Sequence, residues 1–136
     1  MYIIMIKRRL LSIIGALVLL FVLSACAMEE QSFANEYKQI SQKEAKEIMD
    51  SEKEYVILDV RTEEEFAEKH IPGAVLIPHD EIESRAEKEL LDKEKIILVY
   101  CRSGNRSKVA SQIRADLGYS AVFEFGGIND WPYETE

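Results

Sequence analysis

From Tyr37 to the C-terminus, short apolar runs alternate with amphipathic segments, and this alternation constrains the fold more than any other feature of the chain. Two of the runs, Tyr55–Asp59 (YVILD) and Ile96–Tyr100 (IILVY), are almost continuously apolar, as strands buried on both faces are. Shorter strands are expected at Tyr37–Ile40, at Ala74–Ile77 (stopped by Pro78) and at Ala121–Phe125. Between them lie helix signals. Ser41-Gln42-Lys43-Glu44 and Thr62-Glu63-Glu64-Glu65 are capping boxes, predicting helices to about Asp50 and Lys69. A third helix should open at Asp80–Glu83 and run to about Leu91. A fourth is expected over Ser107–Leu117, with Val109, Ala110, Ile113 and Leu117 on one face and Gly118 as its stop. Strands alternating with helices predict an α/β domain with a parallel sheet covered on both faces. Such sheets carry their sites at the carboxyl ends of strands. Asp59 and Arg61 follow one strand there, and Cys101 follows another.

The chain has 136 residues, enough for one such domain at positions 37–136. Ahead of it, Lys7-Arg8-Arg9 precede the apolar run Leu10–Leu23, whose 14 residues fall short of the ~18–20 that comfortably span a bilayer. Small residues close the run. Basic, apolar, then small is the order of a secretory signal, here residues 1–25. Leu23-Ser24-Ala25-Cys26 is similar to the lipobox of bacterial lipoproteins. That resemblance implies cleavage before Cys26, acyl chains on its thiol and new amino group, and a membrane-anchored domain facing outside the cytoplasm. Residues 26–36 would be a polar tether. Met1–Ile6 adds apolar length upstream, so an uncleaved anchor is the alternative.

Without the first 25 residues, basic residues fall from 17 to 14 while all 25 acids stay, a net charge of −11. A body that acidic does not track a phosphate backbone, so no nucleic-acid partner is expected. The two histidines, His70 and His79, do not make a metal site with a single domain cysteine, and His70 reads as structural. No serine triad or phosphate-binding P-loop is present, and no cofactor is expected.

The chemistry concentrates at Cys101-Arg102-Ser103-Gly104-Asn105-Arg106, between a buried strand and a helix. A cysteine after a strand is commonly a small buried apolar residue. Here the flanks are two arginines, a serine, a glycine and an asparagine, which bury badly. The unpaired amides of the following helix, the charges of Arg102 and Arg106, and a turn at Gly104 that lets amides converge all favour a thiolate. The same loop would hold an oxyanion beside the sulfur.

Five separated motifs together resemble the rhodanese family of sulfurtransferases in its single-domain form. They are Leu58-Asp59-Val60-Arg61, Glu65-Phe66, His70-Ile71-Pro72-Gly73-Ala74, Tyr100 to Ser107, and Gly126-Gly127 before Trp131. The resemblance covers roughly Tyr37 to Trp131. It implies a five-stranded parallel sheet with helices on both faces. It also implies a reaction in which Cys101 takes a sulfur from a small donor anion such as thiosulfate, becomes a persulfide, and passes the sulfur to cyanide or a thiol acceptor. Arg102, Ser103, Gly104, Asn105 and Arg106 would form the cradle. Asp59 and Arg61 would support it, with Asp59 orienting an arginine or capping the loop rather than acting as a base. Phosphatases and arsenate reductases resemble this fold with five residues between Cys and Arg. The four found here, Arg102 to Asn105, suit sulfur better than a tetrahedral phosphate. A sulfur-carrier module serving a protein partner is the alternative to an enzyme acting on small donors.

Overall fold

The computed structural model describes residues 36–52 and 54–136. The expected signal over residues 1–25, the acylation site at Cys26 and nearly all of the tether lie outside them. In chain order the elements are β1 (Lys38–Gln39), α1 (Gln42–Ser51), β2 (Tyr55–Asp59), α2 (Glu63–Glu68), β3 (Val75–Leu76), α3 (Ile82–Glu89), β4 (Ile96–Cys101), α4 (Asn105–Asp116) and β5 (Val122–Gly127), then a 3-10 turn, Ile128–Asp130. The five strands form one sheet in the order β1-β5-β4-β2-β3, and every pairing is parallel. The long strands β2, β4 and β5 lie inside; the two-residue strands β1 and β3, shorter than predicted, are the edges. Short edges leave little unpaired backbone for another chain to capture.

The sheet is covered on both sides, and side-chain alternation along β4 separates the two cores. Ile97, Val99 and Cys101 join Leu58, Val60 and Ile82 in one, against α3 and α4. Leu98 and Tyr100 join Ala45, Phe125 and Trp131 in the other, against α1 and the C-terminal segment. Both capping boxes form as predicted. Ser41 accepts from the amide of Glu44 and Thr62 from that of Glu65, and each glutamate returns the bond.

Helix α4 departs from its prediction twice. It starts at Asn105, two residues early, with Gly104 as its cap at φ +95°. Its buried face is Ser107, Ala110, Ser111, Arg114 and Ala115, whereas Val109 is 59% exposed. The face is a proper i, i+3/4, i+7 stripe, but a polar and small-residue one. Apolar spacing missed it because Ser107 must point at the sheet to reach its hydrogen-bond partners, and that sets the rotation of the helix. Small residues then let the helix backbone lie close to β4 and β5. Arg114 is wholly buried on this face, its guanidinium 4.9 Å from the centre of the Tyr119 ring and without a hydrogen-bond partner among the described residues. Burial pushes its pKa down.

Candidate active site

Cys101 is the last residue of β4 and is fully buried. The chain then turns through Arg102, Ser103 and Gly104 into α4. Gly104 takes the left-handed conformation, which a side chain would resist, and the turn points its amide at the cysteine. Gly104 N donates to Cys101 Sγ at 3.1 Å. Burial pushes the thiol up. The hydrogen bonds of the Ser107 hydroxyl and amide and of the Ser103 and Gly104 amides outweigh that, and the thiol lies below the ordinary cysteine range. The arrangement can hold a sulfur anion at the floor of a ring of amides.

The two loop arginines have different places. Arg106 donates to Glu65 Oε2 at 2.7 Å and Oε1 at 2.9 Å, so its fork is filled by a carboxylate from α2. The Arg106 hydrogen bond holds the Glu65 carboxyl down at about 2. Arg106 therefore contributes charge near Cys101 while being locked in orientation by α2. Arg102 is exposed and makes no ion pair or side-chain hydrogen bond among the described residues.

Asp59 and Arg61 are brought together as a buried pair. Arg61 Nη2 donates to Asp59 Oδ2 at 2.7 Å and to the carbonyl of Lys69 at 2.7 Å. Asp59 sits opposite Tyr100 in the β2–β4 register. The pair ties the end of β2 to the chain following α2, and neither side chain hydrogen-bonds Cys101. Tyr100 reinforces that segment, its hydroxyl accepting from Ile71 N at 3.1 Å. His70 is structural in the sense expected. Its ring stacks on Phe66 at 3.8 Å, and Nδ1 lies 2.9 Å from the Phe66 carbonyl.

Sequence reasoning did not single out Ser107 or Glu124. Between Val99 and Cys101 the β4–β5 register slips, so that Val99 faces Glu124 but Cys101 faces Gly127. The extra residue in β5 sits beside Gly126 at φ +93°, a bulge that bends the strand under the loop. It leaves Glu124, only 3% exposed, on the same face as Val99 and Cys101. Its Oε1 accepts from Ser107 Oγ at 2.6 Å and from Gly126 N at 2.9 Å. The one signal available beforehand was a lone acid inside an otherwise apolar strand, Val122-Phe123-Glu124-Phe125. Asn129 N donates to the Arg102 carbonyl at 3.2 Å, securing the loop from the C-terminal side. A separate groove of about 530 Å³, lined by Lys46, Met49, Tyr55, Pro72 and Trp131 among others, contains no residue of the loop.

A buried, amide-held cysteine between a parallel strand and a helix, with the following strand bulged beneath it, defines a class of cysteine-loop α/β domains. The chain belongs to the rhodanese-like domain family, whose model matches residues 41–133. It is 38% identical over 104 residues to the putative sulfur carrier protein YrkF of Bacillus subtilis, covering 76% of this chain and 55% of that protein, so it spans about half of that relative's length. Over 101 residues it is 38% identical to the putative sulfurtransferase YtwF of Bacillus subtilis, with 74% and 96% of the two chains covered. Over 73 residues it is 36% identical to the thiosulfate sulfurtransferase PspE of Escherichia coli, covering 54% and 70%. Among solved structures, a rhodanese-like domain protein from Staphylococcus aureus superposes with a TM-score of 0.63 at 35% identity, covering 71% of this chain and 93% of that one. A rhodanese-related protein from Thermoplasma volcanium superposes with a TM-score of 0.64 at 29% identity, covering 74% and 98%.

Proposed function

We propose that the protein is a sulfurtransferase that carries a sulfane sulfur on Cys101. The observation that carries this reading is the Gly104 amide aimed at a buried Cys101 Sγ whose pKa is lowered by the loop. A thiolate held by amides needs no general base. It attacks the outer sulfur of a donor such as thiosulfate; the donor's S–S bond breaks and sulfite leaves with the electron pair. The new outer sulfur of the Cys101 persulfide is an anion. An acceptor, cyanide or a thiolate, then attacks that sulfur, and Cys101 leaves as the thiolate. Relatives named thiosulfate sulfurtransferase and putative sulfurtransferase support the reading. So does the four-residue spacing between Cys101 and Arg106, which disfavours phosphoryl transfer.

The test is cyanide-dependent thiocyanate formation from thiosulfate. C101A should abolish it, and equal activity in C101A would overturn the assignment. A second reading, transfer to a protein acceptor, is favoured by the relative named as a putative sulfur carrier and by the exposure of Arg102 beside the loop. It predicts a one-sulfur mass gain on Cys101 without multiple turnover on small acceptors. The reading also includes the N-terminus: a signal over residues 1–25, acylation of Cys26, a tether to residue 36, and a domain displayed outside the cytoplasm from the cell membrane. The order Lys7-Arg8-Arg9, apolar run, Leu23-Ser24-Ala25-Cys26 supports it. Acyl chains contribute about 0.8 kcal/mol per buried CH₂, so several anchor stably. Mass spectrometry of the mature N-terminus tests it; an unmodified Cys26 would remove the anchor.

A further inference from the structure

From Ile96 to Ala115 the chain holds Arg102, Arg106, Lys108 and Arg114 and not one acid. Two of these cations are occupied within the domain: Arg106 is bound by Glu65, and Arg114 is wholly buried. Arg102 on the loop and Lys108 on α4 are exposed, and among the described residues neither makes an ion pair or a side-chain hydrogen bond. Elsewhere on the surface Lys43, Arg85 and Lys95 each sit beside a carboxylate. The loop and the outer face of α4 therefore form a basic patch on a chain whose net charge is −8.

Helix α4 presents its part of the patch as one stripe. Its buried side includes Ser107, Ala110, Ser111 and Arg114. Asn105, Lys108 and Val109 lie on the other side and are exposed, Val109 to 59%. Spacings of three and four put them in a row. Lys108 and Val109 stand one turn, about 5 Å along the axis, beyond Asn105. Asn105 directly follows Gly104, whose amide holds the Cys101 sulfur. The stripe thus begins at the cysteine loop and leads away from it. The neighbouring element across the Glu65–Arg106 bridge has the opposite sign: Glu63 and Glu64, at the start of α2, are exposed.

We propose that the face formed by Arg102, Asn105, Lys108 and Val109 docks a protein sulfur acceptor whose cysteine lies on a projecting segment flanked by Asp and Glu. The inference rests on the reading of Cys101 as a sulfur carrier and gives the chemistry of its acceptor. Charge complementarity selects the partner. Its carboxylates meet a guanidinium and an ammonium that have no counter-charge in the domain, while the acids of α2 repel the same segment and so set its direction of approach. Cys101 is fully buried, so a projecting segment is needed to bring a thiol to its outer sulfur. The acidic flank keeps the acceptor thiol protonated in the free partner, and Arg102 counters that flank after docking, so the thiolate forms at the site and its proton goes to solvent. The acceptor thiolate attacks the outer sulfur of the Cys101 persulfide; the S–S bond breaks, and Cys101 leaves as the thiolate with the electron pair. Val109 adds an apolar contact beside Lys108. A face of one loop and little more than one helical turn is small, as that of a transient encounter is.

The experiment is disulfide exchange between the full chain and cysteine peptides activated with thionitrobenzoate. The Cys101 thiolate attacks the peptide sulfur, and the absorbance of the released thionitrobenzoate gives the rate, with the C101S trace subtracted. One peptide has glutamates around its cysteine, and the other has lysines in the same places. Each rate is divided by that of the same peptide with a small neutral thiol. Wild type should react about fivefold or more faster with the glutamate peptide at low salt, and high salt should remove most of the difference. The net charge of the chain predicts the reverse order, so the preference reports this face alone. K108E should slow the glutamate peptide about threefold or more and speed up the lysine peptide. K108Q should move both rates in the same directions by a smaller factor, and it carries the test if K108E does not fold. Equal rates, a lysine preference, or no reaction with either peptide overturns the proposal. So does a wild-type preference retained in K108E. The exchange uses no sulfur donor. A missing thiocyanate reaction in wild type would therefore count against sulfur transfer, and the exchange rates would still decide the docking face.

Discussion

A Cβ placed on Gly127 would lie 2.3 Å from the carbonyl oxygen of Arg102 and 2.6 Å from the Cα of Ser103. The Cys101 loop is therefore seated directly on the backbone of β5. The obstruction is backbone, so no side-chain rotation relieves it. G127A should destabilise the fold by about 1–3 kcal/mol. It should also lower thiocyanate turnover by about tenfold or more, since small displacements of a reacting group are costly. Urea melts and the thiosulfate assay check both. A G127A chain with wild-type stability and turnover would show that the loop stands clear of β5.

The Glu65–Arg106 pair has a signature in acid. Glu65 is held at about 2, from an ordinary 4.5. Between those values the unfolded chain binds a proton that the folded chain does not, so the stabilisation is complete above about 4.5 and lost as pH falls through about 2. E65Q should cost about 1–2 kcal/mol at neutral pH, discounted because the two side chains keep 27% and 21% of their exposure. Urea midpoints of wild type and E65Q should converge as pH falls through that window. A constant difference would mean that the pair does not set the Glu65 pKa.

The Asp59–Arg61 pair, whose side chains are 0% and 3% exposed, should act on stability before chemistry. D59N leaves the Arg61 guanidinium buried without its counter-charge, a loss of about 3–5 kcal/mol. The double variant D59L/R61M removes both charges and should recover most of that loss in a thermal melt. Failure of the double variant to recover would point to the bond between Arg61 and the Lys69 carbonyl as the main contribution.

Arg114 should be replaceable with profit. Its guanidinium is buried in a core and lacks hydrogen-bond partners among the described residues. R114M keeps most of the volume and removes the desolvated charge, so it should raise stability by about 1–3 kcal/mol. Calorimetry checks this; a lower melting temperature would mean that the contact with the Tyr119 ring at 4.9 Å outweighs the burial cost.

What was legible in the chain was local. Both capping boxes, the runs of β2 and β4, and a helix following the Cys101 loop rest on hydrogen bonds or periodicities spanning a few residues, so each could be read directly, although the helix starts two residues before its predicted position. The rotation of α4 could not, because Ser107 is turned inward by a carboxylate on β5, 17 positions away.

Apolar spacing and short-range chemistry were enough to specify an alternating α/β domain and a cysteine in a charged, glycine-containing loop. What surrounds that cysteine depends on contacts between distant segments. The fork of Arg106 is filled by Glu65, 41 positions earlier in the chain. The loop lies on Gly127, and Glu124 faces Ser107, because one residue of bulge in β5 shifts its register against β4. Register between strands is a property of how distant segments align, and no window of sequence around Cys101 contains it.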